Sequence, residues 1–441
     1  MPRRRAASEK LPTSAAATKM ATPSRESLVR IAHLEVRLTA SFAIVVIVRK
    51  TLPSYDPPMT STDDRPDSPL LPSTHAYAPT LDRRTFLLGM LAATILPTTA
   101  WAVPSPAPAS RTFATPRHTT HYLEKGPANG PLMIFLHGWP ELSLIWRAQI
   151  DASAAEGWRC IAPDMRGYGR SSAPTATDAY TQEQVVADMI ELHDHLGGKP
   201  AIWVGHDWGS VAVASLVSHE PARSRGAVLI SVPYFPTGNT LRTLVPLVDR
   251  SIYPADRFPD GQWDYYRYYT THFASAVADL DADKASSLAS IYRPGDPSKM
   301  REPAANATVT SKGGRFGAAH RAPPTRPDPA LWPTQDFDAL VASFEAHGFR
   351  PPCAWYLNDD ANTAYAAKAP NGGHLAMPVL FVNGVYDQMN TIQGNRLGDP
   401  MRAACADLTV TNLQGAHWLP LERKAELVQA MRGWLRSRQL A

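Results

Sequence analysis

Six short apolar runs, each stopping at a turn residue, constrain this chain more than any other feature. Met133-Ile134-Phe135-Leu136 stops at His137-Gly138, and Cys160-Ile161-Ala162 stops at Pro163-Asp164. Ala201-Ile202-Trp203-Val204 stops at Gly205-His206-Asp207, and the run from Ala227 to Val232 stops at Pro233. Val379 to Val382 stops at Asn383-Gly384, and Leu408-Thr409-Val410 ends near Gly415. Runs without polar alternation read as strands covered on both faces, the pattern of a parallel sheet. Between them lie stretches with a period near 3.6. Gln182 to Leu196 carries Val185, Val186, Met189, Ile190 and Leu192, and Glu422 to Leu435 is the last such stretch. Strand–helix alternation predicts an α/β fold with helices on both faces of a mostly parallel sheet.

From about Tyr234 to Gly373 the alternation stops. This stretch is rich in aromatic residues and reads as helices. The Gly-, Pro-, Ala- and Arg-rich piece from Met300 to Pro329 is expected to be an extended loop. An insertion between two core strands is expected to cap the carboxyl edge of the sheet, where open α/β sheets bind ligands. The predicted division is a core of residues 103–233 and 374–441 and a helical cap of residues 234–373.

Residues 1–102 read as a leader outside the fold. They hold 13 Lys/Arg against 8 Asp/Glu, whereas residues 103–441 hold 31 against 32. The basic excess belongs to the leader, and the near-neutral body gives no electrostatic case for nucleic acid. Thr51 to Thr80 is rich in Pro, Ser, Thr and Asp and has too little apolar surface to offset its ordering entropy. Asp82-Arg83-Arg84-Thr85-Phe86-Leu87-Leu88, an apolar run to Leu96, and Ala100-Trp101-Ala102 have the layout of an export signal, about residues 82–102. The paired arginines resemble a twin-arginine signal. The expected location is periplasmic or secreted if the signal is used, and cytoplasmic otherwise. No stable membrane anchor is expected after cleavage, because the apolar run is too short to span a bilayer. Met59 is the candidate true start, and residues 1–58 then read as an upstream extension.

The chemistry is carried by three strand ends. Val204-Gly205-His206-Asp207-Trp208-Gly209 follows a strand and opens a helix near Ser210. This is the context of a nucleophile elbow, with Asp where Ser is usual. A carboxylate there can attack carbon and form an ester. His137-Gly138-Trp139-Pro140-Glu141 ends an earlier strand and is expected to give the backbone N–H of Trp139 to an oxyanion hole, the N–H of Trp208 giving the other. His137 reads as a structural histidine holding that loop rather than as a base. Gly415-Ala416-His417-Trp418 follows the last strand, 30 residues past Asp387. The order Asp207, Asp387, His417 is that of nucleophile, acid and histidine in an α/β-hydrolase triad.

With these residues the chain resembles the soluble-type epoxide hydrolases of the α/β-hydrolase superfamily, from Thr112 to Leu435. Asp164-Met165-Arg166-Gly167-Tyr168-Gly169-Arg170-Ser171-Ser172 resembles a loop shared with many relatives and supports the fold. Trp263-Asp264-Tyr265-Tyr266-Arg267-Tyr268-Tyr269 resembles the segment holding one cap tyrosine, which maps to Tyr265, with Tyr266, Tyr268 and Tyr269 as rivals. Gly348-Phe349-Arg350-Pro351-Pro352-Cys353-Ala354-Trp355-Tyr356 resembles the segment ending in the second, Tyr356. In one departure, Gln388 stands where relatives often carry a charged residue beside the acid.

The resemblance implies an α/β-hydrolase fold and hydrolysis of an epoxide to a vicinal diol. Asp207 would form an alkyl ester, Tyr265 and Tyr356 would hold the epoxide oxygen, and His417, oriented by Asp387, would activate water. His137, Pro140 and Trp355 are expected to line the substrate pocket, and the aromatic residues of the cap suggest an apolar epoxide. No metal or organic cofactor is expected, since Cys160, Cys353 and Cys405 are too scattered for a structural zinc site. The alternatives are a haloalkane or haloacid dehalogenase using the same Asp nucleophile, and a non-catalytic binding protein that keeps the fold. Asp at the elbow argues against an ester or lactone hydrolase. Haloalkane dehalogenases tend to have Asn at the position of Trp139.

Overall fold

The computed structural model describes residues 106–441. The expected leader, with its export signal and Met59, lies outside the described residues. Eight strands form one sheet: β1 (Ala109–Ala114), β2 (Thr119–Lys125), β3 (Leu132–Leu136), β4 (Arg159–Pro163), β5 (Ala201–His206), β6 (Ser224–Ile230), β7 (Leu375–Gly384) and β8 (Cys405–Leu413). Their spatial order is β1-β2-β4-β3-β5-β6-β7-β8. Every pairing from β4 to β8 is parallel, and β2 pairs antiparallel with both β1 and β4. All residues of β3 and β5 are buried, as expected for strands covered by helices on both faces.

The two antiparallel strands are absent from the apolar-run reading because neither carries an unbroken apolar run: interior β2 sets Thr119, Thr120 and His121 before Tyr122 and Leu123. β1 is an edge strand, mostly exposed, with Ser110, Arg111 and Thr112 in place of an apolar run. β8 is the other edge. Its outer residues are half-exposed, so only Leu408 to Val410 stands out in a strand that begins at Cys405. Helix α1 (Arg147–Ala155) packs with α10 (Lys424–Ser437), and α2 (Gln182–His195) packs with α3 (Trp208–His219). Thr181 caps α2 by accepting from the Gln184 N–H.

Among the described residues no strand lies between Ile230 and Leu375. Six helices of five or more residues mark this insert: α4 (Asp264–Thr271), α5 (Phe273–Asp281), α6 (Lys284–Ile291), α7 (Thr334–His347), α8 (Arg350–Ala354) and α9 (Asp359–Ala366). Met300 to Pro329 forms only short 3-10 turns, which fits its Gly and Pro content.

Candidate active site

The turn from β5 into α3 holds Asp207 at φ 51°, ψ −123°, a conformation few non-glycine residues adopt. Such strain concentrates where a side chain must be held at the top of a sheet. Small neighbours make the turn possible. A Cβ on Gly209 would sit 2.0 Å from the Leu136 carbonyl oxygen. A Cβ on Gly138 would lie 2.6 Å from both Asp207 Oδ1 and the Trp208 nitrogen. The loop after β3 can therefore lie against the elbow, and the Trp139 N–H donates to Asp207 Oδ1 at 2.8 Å. Trp208 is the first residue of α3, where N–H groups have no intrahelical acceptor.

His417 follows β8 and reaches both acids. Its Nδ1 is hydrogen-bonded to Asp387 Oδ2 at 2.8 Å, and its Nε2 lies 3.4 Å from Asp207 Oδ2. Asp387 Oδ1 accepts the backbone N–H groups of Met389 and Asn390 at 2.9 and 3.2 Å, so the acid is fixed before it meets the histidine. Burial alone would raise the Asp207 pKa. The His417 ring, with His206 and the Trp139 N–H, outweighs burial and holds it below the ordinary carboxylate value. Burial alone would lower the His417 pKa, but Asp387 and Asp207 together hold it well above the ordinary imidazole value.

Across from this triad a cavity of about 380 Å³ is lined by Asp207, Trp139, His417, Tyr265 and Tyr356. Of the four clustered tyrosines on α4, only Tyr265 lines it. The Tyr266 hydroxyl donates to Asp359, the Tyr268 hydroxyl donates to the Gly313 carbonyl at 3.0 Å, and the Tyr269 oxygen accepts from Arg315 Nε at 3.4 Å. The rings of Tyr265 and Tyr356 meet edge to face, with centroids 5.7 Å apart. Burial, followed by the Asp207 charge for Tyr265 and by the neighbouring Tyr265 phenol for Tyr356, pushes both phenols above their ordinary value. Both are therefore neutral donors near neutral pH.

Three residues expected in the pocket lie behind its wall. His137 is fully buried. Its Nε2 accepts the Met165 N–H at 2.9 Å, which matches the loop-holding role. The Pro140 carbonyl accepts the Tyr292 hydroxyl at 2.7 Å, and the Trp355 indole N–H donates to the Arg166 carbonyl at 3.1 Å. Trp355, from the insert, packs edge-on against Trp208 with ring centroids 5.9 Å apart. Each of the three spends its polar group on backbone or loop contacts, and none borders the cavity.

Sequence reasoning gave no role to a buried pair beneath the site. Glu141 Oε1 meets His206 Nδ1 at 2.5 Å, and Oε2 accepts the Gly138 N–H at 2.7 Å. His206 Nε2 lies 2.6 Å from the His417 carbonyl oxygen. The pair ties the Trp139 loop, the elbow and the His417 backbone together. Its signal was an acid and a histidine each adjoining a strand-end motif.

The chain matches the model of the alpha/beta hydrolase fold over residues 131–424. It is 31% identical to Epoxide hydrolase A of Mycobacterium tuberculosis, over 76% of this chain and 99% of that protein. It is 27% identical to Bifunctional epoxide hydrolase 2 of Sus scrofa over 71% of this chain, and spans 53% of the length of that relative. The crystal structure of Epoxide Hydrolase A from Mycobacterium thermoresistibile aligns at a TM-score of 0.60 with 28% identity, covering 75% of this chain and 98% of that one. With the acid–histidine–acid geometry beneath two phenols, these likenesses assign the chain to the epoxide hydrolases of the α/β-hydrolase family.

Proposed function

We propose that this protein hydrolyses an epoxide to a vicinal diol through an ester on Asp207. One observation carries the reading: the Asp207 carboxylate faces a cavity shared with the phenols of Tyr265 and Tyr356, and His417 Nε2 lies 3.4 Å behind it. An Asp207 oxygen attacks one ring carbon as the carbon–oxygen bond breaks. Tyr265 and Tyr356 donate to the leaving oxygen and supply its proton. His417 then takes a proton from water, and the hydroxide attacks the Asp207 carbonyl carbon. The tetrahedral oxyanion is held by the N–H groups of Trp139 and Trp208, each such donor lowering a barrier by ~3–4 kcal/mol. Collapse breaks the bond from the carbonyl carbon to the alkyl oxygen, which takes the proton of the added hydroxyl to complete the diol. The carboxylate is restored and the proton on His417 returns to the phenolate, while Asp387 orients His417 and stabilises its cation.

The phenol pair favours an epoxide over a carbon–halogen bond, because two neutral O–H donors suit a departing oxygen. A single turnover with excess enzyme in oxygen-18 water tests the mechanism. Ester formation gives a first diol free of label, its new oxygen coming from Asp207. Label in that first diol would mean direct attack by water and remove Asp207 as nucleophile. Halide release from haloalkanes without diol from epoxides would move the function to dehalogenation. For residues 82–102 we propose twin-arginine export, which cell fractionation of an Arg83→Lys, Arg84→Lys variant would test by loss of the exported form.

A further inference from the structure

Arg315 is a cation in the wall of the nucleophile's cavity with no acid to answer it. It lies on the Gly- and Pro-rich segment of the insert, half-buried, and borders the same space as Asp207, Tyr265 and Tyr356. Its Nε donates to the Tyr269 oxygen at 3.4 Å, and its guanidinium carbon lies 5.7 Å from the Trp139 ring centroid. Among the described residues no carboxylate lies within 4.0 Å of it. Most other half-buried arginines are answered by acids, and Arg225 donates to the Leu440 carbonyl at 2.8 Å. Arg166 forms a two-pronged pair with Asp188 at 2.6 and 2.7 Å, and Arg147 does the same with Asp336 at 2.6 and 3.0 Å. A guanidinium has five N–H donors in a planar fork, and only one of those on Arg315 has a protein partner. The rest are not sealed into the protein and remain free to meet an acceptor in the cavity.

The acids nearest to the cavity are already committed. Asp207 and Asp387 hold His417, and Asp387 also accepts two backbone N–H groups. At the rim, Arg293 and Lys299 are exposed and have no acid partner among the described residues, while the Asp296 carboxylate turns to the N–H and hydroxyl of Ser298. The rim holds two cations against the one carboxylate of Asp296, a local excess of one positive charge that favours the approach of anions. The guanidinium keeps its charge at any ordinary pH.

We infer that the epoxide taken by this site carries a carboxylate, and that Arg315 receives it while Tyr265 and Tyr356 hold the epoxide oxygen. The inference rests on the epoxide reading for the reacting end only. The acid end is a separate claim about binding. A carboxylate matches the guanidinium fork with two parallel hydrogen bonds. One cation facing two carboxylates of the triad suits a singly charged acid better than a dianion. Trp139 links the two ends, its backbone N–H on Asp207 and its ring beside Arg315. A small aryl or alkyl epoxy acid can therefore meet both within one cavity.

Titration calorimetry on the full chain with phenylacetate, phenylacetamide and phenyl phosphate tests the acid end without turnover. The expected result is phenylacetate bound more tightly than the amide by roughly tenfold or more, as one charge-assisted contact supplies. Arg315→Met, which keeps the stem over Trp139, should erase that preference, and Arg315→Lys should restore part of it. Equal binding of acid and amide, no measurable binding of phenylacetate, or a preference unchanged in Arg315→Met would overturn the assignment. Tighter binding of phenyl phosphate would overturn the carboxylate. In turnover, the kcat/KM ratio of 3-phenylglycidate over its amide should fall by a similar factor in Arg315→Met. If neither epoxide is turned over yet phenylacetate binding depends on Arg315, the epoxide reading fails and the acid site stands.

Discussion

The Nε2 atom of His417 lies 3.4 Å from Asp207 Oδ2, so the imidazole sits between two carboxylates, those of Asp387 and Asp207. Both carboxylates raise the His417 pKa while Asp207 is free. Esterification of Asp207 removes one of those charges. The histidine then loses part of what held its proton and becomes able to take one from water. A raised pKa means that the free enzyme keeps His417 protonated beyond the usual range, which leaves Asp207 ionised for attack. The hydrolytic half needs the neutral ring, so it slows as pH falls. More enzyme should therefore be trapped as ester near about pH 5 than near about pH 8 during turnover. Intact-mass sampling reads this directly. His417→Gln should accumulate the ester at both pH values, and no adduct in that variant would remove His417 as the hydrolytic base.

Tyr265 and Tyr356 border the cavity, whereas Tyr266 spends its hydroxyl on Asp359. Tyr265→Phe and Tyr356→Phe should each slow ester formation roughly a hundredfold, the effect of losing about 3 kcal/mol from one donor to a developing oxyanion. Tyr266→Phe should leave ester formation nearly unchanged and cost about 1 kcal/mol of stability. Rapid-quench kinetics separates the two classes. Equal slowing in all three would assign the phenols to packing.

Asp207 and Asp387 were legible because each follows a strand whose buried apolar run changes abruptly to turn residues, whereas His417 follows the half-exposed edge strand β8 and was legible from its Gly-Ala-His-Trp motif and its place in the chain order. The tyrosine on α4 was not, because Tyr265, Tyr266, Tyr268 and Tyr269 fall within about one helical turn. Which of them faces a cavity depends on what packs against the helix, and sequence spacing alone does not contain that. His137, Pro140 and Trp355 were misplaced for a related reason. Adjacency to a motif does not tell whether a side chain points into the cavity or beneath it. Arg315 gave no signal, since a Gly- and Pro-rich loop has no periodicity from which to read a facing direction.

His118 is buried beside Asp188, Arg166 and Arg117, and its pKa is lowered to about 4, with burial as the leading cause and the two arginines adding to it. Asp188 opposes the shift, but its carboxylate is already shared by both arginines. The folded state therefore resists a proton that the unfolded chain accepts near the ordinary histidine value of ~6.5. Stability is unaffected above that value and falls as pH drops from there toward the folded pKa, by up to about 3 kcal/mol. Urea unfolding across this window should show the loss. A His118→Asn variant should flatten it, and an acid limb unchanged in that variant would assign the loss to other groups.

Glu141 and His206 are both fully buried, and each holds a different part of the site. Glu141 accepts the Gly138 N–H just before the oxyanion loop, and His206 reaches the His417 carbonyl. A carbonyl only accepts, so His206 Nε2 carries a proton, and Glu141 fixes the other ring nitrogen. Glu141→Ala leaves one buried imidazole nitrogen and a backbone N–H without partners in a dry interior. The expected loss is about 3–5 kcal/mol of stability, as when one member of a buried pair is removed. Glu141→Gln keeps an acceptor for one of the two groups and should lose less, about 1–3 kcal/mol. Because the Gly138 N–H precedes the Trp139 donor by one residue, Glu141→Gln should also slow ester formation in protein that remains folded. Urea midpoints give the first effect and single-turnover rates the second. A midpoint unchanged in Glu141→Ala would mean that the pair does not brace the site.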